Sequence, residues 1–193
     1  QYYELGARFS KWRAVITICE KIPSWACIEA NAQALARYAL LSQEAGNVPI
    51  VEPEVLMDGD HSIERCYEVT ELAQRSTFQQ LKNQGVALEG MILKPSMVIS
   101  GASAKNRADI QTVAEQTIKC LMASVPVSVP GVAFLSGGQS DEEASAHLNA
   151  MNAMGVKLPW ALTFSYGRAL QQTAMKTWMG ETANVEKAQN ALL

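Results

Sequence analysis

The chain has 193 residues, 48% hydrophobic and 18% charged, with 16 basic against 19 acidic side chains and a formal charge of −3. That composition supplies one sizeable core and no basic block, which argues against nucleic acid or an anionic membrane surface as a partner. No apolar stretch approaches the ~20 residues of a membrane span, and the N-terminal QYYELGARFSKW lacks the basic region, apolar region and cleavage site of a signal peptide.

Five short β-rich apolar runs begin at Lys11, Val48, Gly90, Gly131 and Trp160. Between and after them lie segments with helical spacing: Ala26 to Ala45, Ser62 to Gln84, Ala108 to Ala123, Asp141 to Met154 and Gly167 to Met179. Gly46, Gly85 and Gly155 sit where three of these helices should stop, and Ser62 and Ser140 sit where helices should start. Asp58-Gly59-Asp60 reads as a turn. Strand and helix alternating at this regularity predict parallel strands joined by right-handed crossovers. The strands are apolar enough that helices should cover the sheet and leave no wet face.

Both a doubly wound open sheet and a (β/α)8 barrel satisfy that pattern. No GxGxxG or GxxxxGK[ST] follows a strand, so the nucleotide-binding open sheets lose support. Polar, chemistry-bearing residues instead collect at strand ends, where barrel enzymes carry their sites. A whole barrel needs about 250 residues, so the expected architecture is α/β, five βα units of a barrel within one domain spanning residues 1–193.

Several residues stand out on their own physics. Lys94 ends the run Gly90 to Leu93 and precedes Pro95; a lysine in apolar surroundings loses its proton more easily, and a neutral amine attacks carbonyls. It lies two residues after Ile92, so both should share the inward strand face. Glu52 and Glu54 flank Pro53 and can point to one side, either as surface ion pairs or as an acid/base pair. Lys11 and Arg13 alternate with Trp12, placing two cations on one face, where Glu52 and Glu54 of the next strand are natural partners. Ser136-Gly137-Gly138 and Tyr166-Gly167-Arg168 follow the last two strands. The first could be merely a tight turn leading into a capping box of Ser140 and Glu143, or both could cradle an anion on backbone N–H groups and a guanidinium.

Five motifs together resemble class I fructose-bisphosphate aldolase: FSKWRAVI at Phe9 to Ile16, VPIVEPEVLMDGDH at Val48 to His61, LEGMILKPSMV at Leu88 to Val98, FLSGGQSDEEAS at Phe134 to Ser145, and PWALTFSYGRALQ at Pro159 to Gln171. The resemblance implies strands four to eight of the family's barrel, with the first three units and the C-terminal tail lacking a counterpart. It implies that Lys94 forms a Schiff base with the substrate ketone and that Glu52 does the acid/base work. Glu54 would orient neighbouring lysines, Lys11 would contact sugar hydroxyls, and Arg13 would lie beside one phosphate. Ser136, Gly137, Gly167 and Arg168 would bind the other. Ser96 stands where the family pattern has asparagine, and no consequence is expected.

The resemblance further implies reversible cleavage of fructose 1,6-bisphosphate, a phosphorylated sugar, in the glycolytic and gluconeogenic direction. It needs no metal or organic cofactor, and it implies a cytoplasmic homotetramer. A catalytically inactive aldolase portion, or another Schiff-base barrel lyase acting on a phosphorylated sugar, would carry similar motifs. His61 and His147 are isolated, so a metal site of the kind a zinc aldolase needs is not expected. Of the four cysteines, Cys19, Cys27, Cys66 and Cys120, two sit in apolar or helical surroundings and read as reduced core residues. The methionines read as core fillers, and Trp25 and Trp178 as packing residues on helix faces.

Overall fold

A computed structural model describes all residues, 1–193. Strands β1 (Phe9–Ile16), β2 (Val48–Val55), β3 (Ile92–Leu93), β4 (Gly131–Phe134) and β5 (Ala161–Phe164) alternate with helices α1 (Trp25–Glu44), α2 (Ile63–Asn83), α3 (Ile110–Ser124), α4 (Asp141–Ala153) and α5 (Arg168–Trp178). A final helix, α6 (Val185–Leu192), packs on α5. All four strand pairs are parallel, and the order across the sheet is β1-β2-β3-β4-β5. A doubly wound sheet reverses its winding at a switch point. This one never does, so each new unit adds on the same side, as the units of a barrel do.

Local chemistry sets the helix boundaries. Ser24, Ser62, Asp109 and Ser140 each accept a hydrogen bond from a backbone N–H in the first turn of the following helix. Gly46, Gly85 and Gly155 follow their helices at φ of 78°, 75° and 69°, as the sequence predicts. The capping box at Ser140 is only half formed. Its hydroxyl accepts from Glu143 N, but the Glu143 carboxylate is taken by Arg107 at 2.6 Å. The helix α6 was not expected from the sequence. It is short, and it follows a reversal through Met179 at φ 54° and Gly180 at φ 78° that separates its apolar residues from those of α5.

The core is one cluster between the sheet and its helices, with Val51, Leu93, Val132 and Phe134 contributed by strands and Leu35, Leu81, Val113 and Leu121 by helices. The expectation that no strand face is wet holds for the middle of the sheet and fails at its edges. Phe9 and Trp12 on β1 and Phe164 on β5 are exposed, because those strands have a neighbour on one side only. Two further expectations are corrected. Trp25 and Trp178 are exposed rather than packed, and of the methionines only Met57, Met91, Met97 and Met151 are buried, whereas Met122, Met175 and Met179 reach solvent. Of the four free thiols, Cys66 and Cys120 are buried, Cys27 is half-buried and Cys19 is exposed.

Candidate active site

Three neighbouring strands deliver one ionic cluster. The register places Arg13 opposite Glu52 and Val15 opposite Glu54 on β1 and β2. On the next pair, Val51 faces Leu93, and Lys94 N donates to Val51 O at 2.8 Å, so Glu52 and Lys94 stand side by side. Alternation sends the apolar Val51 and Leu93 to the helices and sends Glu52 and Lys94 to the opposite face. Lys94 Nζ lies 3.0 Å from Glu52 Oε1, and Lys11 Nζ lies 3.1 Å from Glu52 Oε2. One carboxylate thus sits between two ammonium groups.

Glu52 is only 3% exposed and Glu54 equally so, so neither is a surface ion pair. An unpaired carboxylate buried to this degree would cost several kcal/mol, and the cations offset that cost. The Lys94 side chain is 12% exposed. The Lys11 contact is an ion pair without hydrogen-bond geometry, and Glu52 Oε2 makes no hydrogen bond. That places a desolvated carboxylate between two amines, which suits a group that accepts and returns protons. Glu54 accepts a hydrogen bond from Arg13 Nε. The family resemblance implies that Glu54 orients neighbouring lysines; in the structure its ion-pair partner is Arg13, one of the two cations that strand alternation offers it. The Glu54 hydrogen bond raises the guanidinium pKa, against a smaller opposing effect of burial.

The segment after Lys94 is fixed on both sides. Ser96 Oγ accepts from Val55 N at 2.9 Å and donates to Val55 O at 2.8 Å, clipping it to β2. Pro95 O accepts from Leu135 N at 3.2 Å, tying it to β4. Ser96 is therefore structural, a role the sequence reading did not see.

The second group lies at the ends of β4 and β5. Gly137 and Gly138 have φ of 63° and 101°, a conformation only glycine adopts cheaply. A Cβ on Gly138 would stand 3.5 Å from Arg168 Nη2, so the guanidinium comes up against this turn. Ser136 is buried, and Gly167 is the residue that opens α5. Successive N–H groups in such a turn with an arginine beside them suit an oxyanion. The structure thus joins Lys94, Glu52 and Lys11 directly, and Arg13 with Glu54. It brings Arg168 to the glycine turn, and the Pro95–Leu135 hydrogen bond links the two groups.

His61 and His147 lie apart, on the β2–α2 connection and inside α4. Burial lowers the pKa of both. Both ring nitrogens of His61 are buried without a partner, whereas His147 Nδ1 contacts Gln139 Oε1 at 2.7 Å. No helix is long and apolar enough to cross a membrane.

Known proteins of one family are similar to this chain along its whole length. The family model described as fructose-bisphosphate aldolase class-I matches residues 1–193. A probable fructose-bisphosphate aldolase class 1 of Xanthomonas campestris pv. campestris is 61% identical over the whole chain, which covers 58% of that relative. The cytosolic fructose-bisphosphate aldolase 4 of Arabidopsis thaliana is 52% identical, again over the whole chain and 49% of the relative. A Plasmodium falciparum fructose-bisphosphate aldolase, solved in complex with TRAP and a small-molecule inhibitor, superposes with a TM-score of 0.95 at 50% identity, covering 99% of this chain and 55% of that one. The chain spans about half the length of the relatives it matches, and its five βα units fit an arc of a barrel. With the whole chain matched by one family model, the protein belongs to the class I fructose-bisphosphate aldolases.

Proposed function

We propose that this chain carries the Schiff-base chemistry of a lyase that reversibly cleaves fructose 1,6-bisphosphate to dihydroxyacetone phosphate and glyceraldehyde 3-phosphate. The observation that supports it most is the buried Glu52 carboxylate of β2, held 3.0 Å from Nζ of Lys94, just past β3, and 3.1 Å from Lys11 Nζ on β1. Lys94 passes a proton to Glu52 and attacks the ketone carbon. Glu52 returns the proton to the carbinolamine hydroxyl, which leaves as water. The resulting iminium takes up the electron pair of the breaking carbon–carbon bond while Glu52, ionised again, takes the proton of the hydroxyl that becomes the aldehyde, so cleavage proceeds at neutral pH. Lys11 serves the sugar hydroxyls near that bond, and Glu54 holds Arg13 toward one phosphate. Ser136, Gly137, Gly167 and Arg168 hold the phosphate at the other end.

The chemistry calls for no metal or organic cofactor. In this reading residues 1–193 act as one portion of a closed barrel, in a cytoplasmic homotetramer; the cytosolic relatives support the location. Borohydride trapping tests the central step without requiring turnover. With substrate present, the chain should gain one reduced adduct on the peptide carrying Lys94, and Lys94→Met should gain none. Labelling that persists in Lys94→Met contradicts the assignment.

A further inference from the structure

Gln139 and His147 appear in no step above, yet both are almost fully buried, 6% and 2% exposed, directly beneath the glycine turn. The Gln139 amide nitrogen donates to Ser136 O at 2.9 Å and contacts Met97 Sδ at 3.7 Å, while Gln139 N donates to the same Ser136 carbonyl at 3.0 Å. Its amide oxygen faces His147 Nδ1 at 2.7 Å. An amide oxygen only accepts, so His147 must carry its proton on Nδ1. The Ser136 carbonyl also only accepts, so the NH2 group is the end of the Gln139 amide that meets it, and the oxygen is left to the His147 N–H, which holds the amide in that orientation.

A trans peptide unit is planar, with its C=O and N–H pointing in opposite directions. Two donors from Gln139 hold the Ser136 carbonyl inward, and the Gly137 N–H is thereby turned outward from the core. We propose that Gln139, oriented by His147, is the positioning residue for the oxyanion cradle of Ser136, Gly137 and Arg168. Its contact with Met97, three residues beyond Lys94, ties that cradle to the segment carrying the amine. The inference rests on the phosphate site proposed above and adds to it two residues that never touch substrate.

Inorganic phosphate, titrated against the 193-residue chain, is the probe, read from the amide shifts of Gly137 and Gly138. Gln139→Leu and His147→Leu should weaken phosphate roughly tenfold. His147→Gln, which restores an N–H donor to the Gln139 oxygen, should bind within about twofold of the unaltered chain. Nitrogen-15 shifts of the unaltered chain should show His147 as the Nδ1–H tautomer. An Nε2–H tautomer, or equal phosphate affinity in all three variants, overturns the inference and leaves the lyase reading standing. Phosphate binding without borohydride labelling at Lys94 removes the lyase reading and leaves the cradle. No phosphate binding by the unaltered chain overturns cradle and positioning pair together.

Discussion

Removing one carboxylate should expose how the residues of the site depend on each other. Glu52→Gln keeps the shape and leaves Lys94 and Lys11 without their shared counter-charge. Lys11 can swing to water, because its side chain is 42% exposed, whereas Lys94 cannot easily follow. The variant should lose about 2 kcal/mol, below the full cost of breaking a buried pair, as read from the urea midpoint. Imine trapping should slow by ~100-fold, because the proton carrier is gone. Ser96→Ala is a different kind of loss. It leaves the buried N–H and C=O of Val55 without the hydroxyl that serves both, and should cost about 2 kcal/mol of stability in the same measurement. The two residues also differ in legibility. Lys94 and Glu52 show in the sequence because each sits in a motif, LEGMILKPSMV and VPIVEPEVLMDGDH, that resembles the family's. The Ser96 clip and the Gln139–His147 pair do not, because they bond to backbone or side chains 41 and 8 residues away and leave no spacing to read.

At the scale of elements, connections carry as much specification as helices. The β2–α2 connection docks on the β3–α3 connection through Gly101 N to His61 O at 2.8 Å and Ala102 N to Met57 O at 2.7 Å. A Cβ on Gly101 would stand 2.4 Å from Gly59 O, a contact with backbone that no rotamer relieves. Gly101→Ala should therefore lower stability by about 3 kcal/mol, seen as a lower thermal midpoint. His61 of the β2–α2 connection and His147 of α4 together set a pH response. Burial lowers the pKa of His61, with Asp60 opposing and Arg65 assisting, and of His147, with Glu143 opposing and Arg107 assisting. Above about pH 6.5 both histidines are neutral folded or unfolded, and their full contribution is present. Below it the unfolded chain takes up protons first, so stability falls as pH drops toward the depressed folded values. The urea midpoint should be lower at pH 5 than at pH 7.5, and His147→Gln should flatten that slope. The starts of α2 and α4 are readable from Ser62 and Ser140, and the stops of α1, α2 and α4 from Gly46, Gly85 and Gly155, whereas the caps Ser24 and Asp109 are not. Strand β3, two residues long, and helix α6 were not delimited by the sequence, since their extent depends on what packs beside them.

For the molecule as a whole, the unbroken order β1 to β5 separates a barrel arc from a doubly wound sheet, which alternation of strands and helices alone left open. An arc has two ends. On β1, Phe9 is 65% exposed and Trp12 lies open beside it; at the other end Phe164 is 49% exposed, and α5 with α6 presents Leu170, Met175 and Trp178 to solvent. Parallel strands with a free edge carry unpaired N–H and C=O groups that accept another strand, and apolar side chains beside them favour that contact. The polar cluster of Lys11, Arg13, Glu52 and Lys94 adjoins the β1 edge, so whatever covers that edge also decides how much water reaches the amine. The isolated 193-residue chain should therefore self-associate, its weight-average mass rising with concentration in sedimentation equilibrium. Charges placed on the edges, as in Trp12→Lys combined with Phe164→Lys, should shift that curve to higher concentration while leaving the helical circular dichroism intact. A mass that stays at 21.0 kDa across the whole concentration range would overturn the prediction and show that the exposed edges do not drive association.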